Sequence, residues 1–172
     1  MSIILIGYMG SGKSTIGKKL SEILNLELID LDDYIQKMEN MSVSKIFETK
    51  GEIYFRKKEY IYLKELLKRN DIILSLGGGT PCYGDNMNAV LNAEGVHSIY
   101  LKSSIPNLVQ RLRTEKLKRP LIAHLKTDEE LTEFIGKHLF ERSFFYNQSH
   151  QTIVTDEKSI TAIAEEIVGS LS

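Results

Sequence analysis

The chain has 172 residues, 42% of them hydrophobic, with a formal net charge of -1 and a single cysteine, Cys82. That length buries one α/β core but does not hold a nucleotide domain plus a separate substrate domain, so a substrate has to bind in insertions on the same domain. The balanced charge offers no field for nucleic acid or an anionic membrane surface, one cysteine forms no internal disulfide, and no stretch reaches the roughly 18 apolar residues of a membrane span.

The first element is the apolar run Ile3, Ile4, Leu5, Ile6, read as a strand. Only Met1 and Ser2 precede it, without the basic and longer apolar regions of a signal peptide, so a cytoplasmic protein is expected, and the mixed charges favour a monomer. Directly after the strand, Gly7 to Ser14 read GYMGSGKS, the pattern G-x-x-x-x-G-K-[ST]. Gly7 lets the chain leave the strand, and Gly10 and Gly12 clear side chains from backbone N–H groups that approach phosphate oxygens. Lys13 reaches the outer phosphates, Ser14 offers a hydroxyl to Mg²⁺, and the helix that starts here directs its positive end at the anion. Nucleotide contacts are therefore expected from Gly10, Ser11, Gly12, Lys13, Ser14 and Thr15. Ile16, Leu20, Ile23 and Leu24 carry the helical period that follows.

A second strand, Leu26 to Ile29, runs into Asp30, Leu31, Asp32, Asp33. Strand alternation predicts Asp30 and Asp32 on one side, facing the crevice beyond the strand ends, one to orient the hydration shell of Mg²⁺ and the other to take a proton from an acceptor hydroxyl. Asp33 is expected to cap the next helix. Residues 32–69 are helical in pattern, broken at Asn40 to Ser42 and at Gly51, and too long for a plain crossover, which predicts a substrate-binding insertion. Within it, G-E-x-x-F-R-x-x-E places Arg56 and Glu59 one helical turn apart, which taken alone reads as an exposed ion pair.

A third strand, Ile72 to Leu76, ends in Ser75, Leu76, Gly77, Gly78, Gly79, where three glycines suit a sharp turn touched directly by a ligand and Ser75 reaches the Mg²⁺ region. After the strand His97 to Leu101, Ser104 with Pro106 starts a helix, and the basic stretch TEKLKRPLIAHLK, residues 114–126, reads as a mobile lid. Thr127 and Glu130 form a capping box for a helix running towards Phe145. The strand Thr152 to Val154 and a helix from Ser159 to Leu171, with Ile160, Ile163, Ala164, Ile167, Val168 and Leu171 in one stripe, complete the chain. Strands alternating with helices predict an α/β fold of five parallel strands flanked by helices. The four histidines show no ligand-like spacing, Cys82 reads as a passive thiol, and Tyr54, Tyr60 and Tyr62 as packing or rim residues.

A phosphate loop alone says that a nucleotide is held. No N-K-x-D or D-x-x-G motif accompanies it, which disfavours a GTPase, and the chain is too short for a motor, leaving a small-molecule kinase. The acceptor stays open between a small hydroxylated acid such as gluconate and a nucleoside monophosphate, and a regulatory module without catalysis is the reading from another class.

Taken together, GYMGSGKST with Gly17 after it, the DLD of Asp30 to Asp32, GEIYFR at Gly51 to Arg56, SLGGG at Ser75 to Gly79, KRPL at Lys118 to Leu121, and Arg142 with Tyr146 four residues on, resemble shikimate kinase through nearly the whole chain. The resemblance implies a nucleoside-monophosphate-kinase-like P-loop fold that phosphorylates the 3-hydroxyl of shikimate with ATP and Mg²⁺, in aromatic amino acid biosynthesis. It implies a catalytic set of Lys13, Asp32 and Arg119, with Asp32 on the acceptor hydroxyls and Asp30 supporting Mg²⁺ through water alongside Ser14. Arg56 and Arg142 would clamp the carboxylate, Glu59 would brace Arg56, and the backbone of Gly77, Gly78 and Gly79 would contact the ring. Arg119 in the lid would close over the transferred phosphate, and Arg113 would neighbour the adenine. Gln36 and Phe144 depart from the family's usual acidic residue and proline.

Overall fold

The computed structural model describes all 172 residues. Five parallel strands lie in the order β2-β3-β1-β4-β5: β1 (Ser2–Ile6), β2 (Glu27–Asp30), β3 (Ile72–Ser75), β4 (Val96–Lys102) and β5 (Gln151–Val154). The continuous apolar run of β1 follows from its central place, since a strand covered on both faces has no reason to alternate. Ile3 and Leu5 face one core with Ile73, Ile99, Leu101 and Ile153, while Ile4 and Ile6 face the other with Leu74 and Tyr100.

The first core is closed by α1 (Lys13–Leu24) and α7 (Ile160–Ser170), through Ile16 and Leu20 of α1 and Ile163, Ala164 and Ile167 of α7. Ile160, expected on the buried stripe, is 44% exposed at the first helical position, and the buried stripe starts one turn later at Ile163. The other face carries α2 (Leu31–Glu39), α3 (Val43–Leu67), α4 (Asn86–Asn92), α5 (Ile105–Leu112) and α6 (Asp128–Tyr146). Because β3 inserts between β1 and β2 while β4 lies on the other side, the chain leaves the carboxyl end of β1 where the connections diverge. That is where open α/β sheets hold ligands.

The breaks in the helical insertion fall where the sequence places them. Asn25 and Asn40 take left-handed conformations (φ 54° and φ 51°) that end α1 and α2. Ser42 caps α3 by accepting from Lys45 N–H. Gly51 breaks α3 into two helical stretches with φ 86° and ψ 169°. Tyr54 and Tyr62 both donate to Glu39, which fastens the end of α2 to α3 and makes these tyrosines packing residues, as their helical setting suggests.

Strand β2 runs one residue further than expected, to Asp30, and the helix starts at once. Asp32 therefore sits in the first turn of α2 rather than on the strand, so strand alternation is not what aligns it with Asp30. The cap of α2 is also Asp30 and not Asp33: Asp33 N–H donates to Asp30 Oδ1 at 3.0 Å. Ser104 caps α5 as expected. At α6 the Thr127 hydroxyl accepts from Glu130 N–H at 3.1 Å, but Glu130 reaches back to Lys126 N–H at 2.8 Å instead of Thr127 N–H. Residues 114–126 hold one 3₁₀ turn, Lys116–Lys118, and are anchored by fully buried Ile122, with Leu117 and Leu121 left outside.

A Cβ at Gly51 would touch nothing within 4 Å, so only its backbone angles demand glycine. Gly51→Ala is expected to lower unfolding free energy by about 1–3 kcal/mol from backbone strain alone, measured by urea denaturation.

Candidate active site

At the carboxyl ends of β1, β2 and β3 lies a cleft of about 540 Å³, within the range of small-molecule sites. One wall is the phosphate loop from Met9 to Thr15; the others are Asp30 and Asp32, Ser75 to Gly78, and a side formed by Arg111, Thr114, Glu115 and Arg119.

The loop has the form an anion needs. Gly10 and Gly12 take φ 79° and φ 97°, and a Cβ on Gly10 would stand 2.9 Å from Leu112, so neither position accepts a side chain. Helices α2, α3, α5, α6 and α7 each begin with a capping side chain, whereas the short α4 and, at the cleft, α1 with Gly12 at its N-cap have none. The first N–H groups and dipole of α1 are left to a ligand. Ser11 Oγ is buried without a hydrogen-bond partner. Lys13 folds its ammonium onto the carbonyls of Gly7 and Tyr8, the latter at 3.1 Å, positions that phosphate oxygens can take over. Burial lowers the Lys13 pKa to about 8, and Arg119 and Arg142 push the same way, while Asp30 and Asp32 oppose them.

Opposite the loop, burial raises Asp32 to about 6, with the charges of Asp30 and Glu59 adding to it and those of Lys13 and Arg56 working against it. Asp30 is raised as well, chiefly by burial, although Asp33 N–H stabilises its ionised form.

The three glycines form a strip on which charged side chains converge in sequence order. A Cβ on Gly77 would lie 3.2 Å from Asp32 Oδ1, one on Gly78 3.1 Å from an Arg142 terminal nitrogen, and one on Gly79 3.2 Å from Arg56 and 3.5 Å from Arg142. Any side chain there would displace these groups. Arg56 and Glu59 do not form the exposed pair that their spacing alone suggests: Glu59 is 1% exposed, accepts from Arg56 at 2.8 Å, and accepts from the Thr80 hydroxyl at 2.8 Å. The ring of Tyr83 stacks on the Arg56 guanidinium with 3.6 Å between the guanidinium carbon and the ring centroid. On α6, the Tyr146 hydroxyl donates to the Gly78 carbonyl. Thr80 and Tyr83 escape sequence reading because nothing in their spacing announces a partner on α3.

Arg119 lines the cleft with its guanidinium held by Glu115, Nε and Nη2 both at 2.9 Å. Arg113 does not line it. Its side chain turns to Asp128 at 3.3 Å, away from the cradle, and no contact of it supports a place beside the base. The arginine on the cleft side of α5 is Arg111, which donates to the Gly10 carbonyl at 3.0 Å. Leu108 and Leu112 face the core, and Leu112 packs on Gly10, which leaves the neighbouring Arg111 at the phosphate loop. Cys82, pushed up to about 11 by burial, is a thiol and not a thiolate at neutral pH.

The family model for shikimate kinase matches residues 9–172. The chain belongs to the shikimate kinase family. It is 49% identical over 166 residues to a shikimate kinase from Flavobacterium psychrophilum, covering 96% of this chain and 95% of that protein. It is 47% identical over 171 residues to the one from Flavobacterium johnsoniae, covering 99% and 98%. The crystal structure of shikimate kinase from Bacteroides thetaiotaomicron superposes with a TM-score of 0.91 at 34% identity, covering 99% of this chain and 98% of that one. That of the Acinetobacter baumannii shikimate kinase in complex with shikimate superposes with a TM-score of 0.86 at 30% identity, covering 99% and 92%. A gluconokinase from Sinorhizobium meliloti, at 16% identity and a TM-score of 0.62, shares the fold. The parallel α/β sheet expected from the strand pattern and the P-loop kinase fold implied by the resemblance are therefore the ones found, and no helix is long and apolar enough to cross a membrane.

The raised pKa of Asp32 has a thermodynamic consequence. Between the ordinary value of 3.8 and about 6 the folded state binds this proton more readily than the unfolded chain does, so the group's contribution to stability is complete below pH 3.8 and is lost as pH rises through 6. Asp32→Asn is expected to unfold at higher denaturant than the wild type at pH 7 to 8, with the gap closing towards pH 4; a pH series of urea melts checks it.

Proposed function

We propose that the enzyme transfers the γ-phosphoryl group of ATP to the 3-hydroxyl of shikimate. The observation that carries this is the glycine strip, with one carboxylate at its first residue and two guanidinium groups meeting at its last. Two peptide units span at most about 7 Å, the scale of one six-membered ring together with the carboxylate and hydroxyl it carries. A ring acid lying along the strip presents its carboxylate to Arg56 and Arg142 and a hydroxyl to Asp32. Two planar guanidinium groups suit a carboxylate better than ammonium groups do.

The donor lies in the loop, with its phosphates on the uncapped start of α1 and on Lys13. Asp32, ionised above about pH 6, accepts the hydroxyl proton as the shikimate oxygen bonds to phosphorus and the bridging oxygen leaves with ADP. Lys13 and Arg119 offset the charge on the transferred group, Arg119 by exchanging Glu115 for phosphate. Ser14 and Asp30 would hold Mg²⁺, which shields the phosphate charge. No three acidic or histidine side chains gather as a metal cage, and one hydroxyl donor from Ser14, with Asp30 acting through water and phosphate completing the shell, suits a magnesium ion. A cytoplasmic monomer fits the balanced charge of the chain and a kinase that draws on ATP.

ADP formation assayed with shikimate, gluconate, nucleoside monophosphates and no acceptor tests the assignment. Shikimate alone should support turnover; ADP from gluconate or a nucleotide with none from shikimate would overturn it. Arg56→Ala should raise the shikimate KM by roughly 100-fold, the loss of charge-assisted hydrogen bonds to a carboxylate, while ATP affinity by titration calorimetry holds.

A further inference from the structure

Along α6 a stripe of residues four apart meets the site: Phe134, His138, Arg142 and Tyr146. Arg142 and Tyr146 contact the glycine strip, at the acceptor end. His138 instead meets the donor end. Its Nδ1 lies 2.8 Å from the hydroxyl of Tyr8, the second residue of the phosphate loop. Tyr8 is 1% exposed, and its carbonyl accepts from the Lys13 ammonium at 3.1 Å and from Ser11 N–H at 3.1 Å. The His138 ring stands edge-on to Tyr8 (5.8 Å, 61°) and to Phe134 (4.6 Å, 64°), and the Arg142 guanidinium lies 5.7 Å from the Tyr8 ring.

We propose that His138 is a positioning residue that, through the Tyr8 hydroxyl, locks α6 and its Arg142 in register with the phosphate loop, so that donor and acceptor meet in line. Both partners are uncharged at neutral pH. Burial and Arg142 hold His138 below the ordinary histidine range against a smaller pull from Glu141, and burial pushes Tyr8 up to about 12. The contact therefore adds no charge to the phosphates or the carboxylate, and its action is geometric. Tyr8 also touches both substrate halves: its backbone holds the lysine of the donor side and its ring underlies the arginine of the acceptor side. A small shift of α6 along its axis moves Arg142 relative to Lys13, and phosphoryl transfer is sensitive to such misalignment.

The test is a set of variants assayed for both substrates: Tyr8→Phe, which removes only the hydroxyl, His138→Leu, the double variant, and His138→Asn, whose amide reoccupies the place of Nδ1. We expect Tyr8→Phe and His138→Leu each to lower kcat and raise the shikimate KM about fivefold to tenfold, the factor attached to one buried neutral hydrogen bond, with the ATP KM unchanged. The double variant should be no worse than the poorer single one, and His138→Asn should recover the wild-type values. Wild-type kinetics in Tyr8→Phe, equal rises in both KM values, losses that multiply in the double variant, or a fall in melting temperature without a kinetic change would each overturn the proposal. It rests on the shikimate kinase reading: wild-type turnover of shikimate reports on that reading, and the ratios among variants report on the coupling.

Discussion

Backbone without side chains at Gly77 to Gly79 is the constraint from which the acceptor site is built. A carboxylate from α2 and guanidinium groups from α3 and α6 approach the same strip so closely that three Cβ atoms would push them off it by a few tenths of an ångström. The neighbouring elements are arranged to hold those groups still. Glu59 and Tyr83 fix Arg56 from two sides, Tyr146 ties α6 to the Gly78 carbonyl, and Asp30 starts α2 so that its first turn delivers Asp32. Guanidinium and carboxylate groups held in this way meet a substrate already oriented, which is where much of the advantage of a rigid site lies.

Electrostatics in the cleft works against the folded protein. Lys13 and Asp32 are each drawn away from their ordinary titration ranges, the lysine down and the aspartate up, and burial leads in both. Two carboxylates and three cationic side chains share a small volume, partly compensating one another and partly repelling. Groups so poised answer to a neighbouring phosphate or hydroxyl more strongly than groups in water do. Stability and chemistry thus pull in opposite directions at the same residues.

The sheet and its helices were legible because β1 is apolar throughout, helix starts carry Ser or Thr, and Asn and Gly punctuate the insertion. The donor half was legible for the same reason: one short stretch holds the whole cradle. What escaped was set by residues far apart in sequence. Strand alternation was the wrong reason for grouping Asp30 with Asp32, since the helix starts one residue early. The spacing of Arg56 and Glu59 says that they meet but not that Thr80 and the core enclose them. The histidines lack metal-like spacing, yet spacing is silent on His138, whose partner lies 130 residues away in the loop. Near the end of α5 motif matching selects Arg113, whereas it is tertiary contact, Arg111 on the Gly10 carbonyl and Arg113 on Asp128, that separates the two.

The unpartnered Ser11 hydroxyl and the uncapped start of α1 bear on more than affinity. Donors that the fold leaves unmet weaken the resting protein, and whatever meets them is bound by the native chain alone. By mass action a ligand at a hundred times its dissociation constant adds about 2.7 kcal/mol to the native state, a sizeable part of the roughly 5–15 kcal/mol that separates folded from unfolded domains. The phosphate loop is in that sense a stabilising site as well as a substrate site: bound nucleotide deepens the native state by the affinity it has for it.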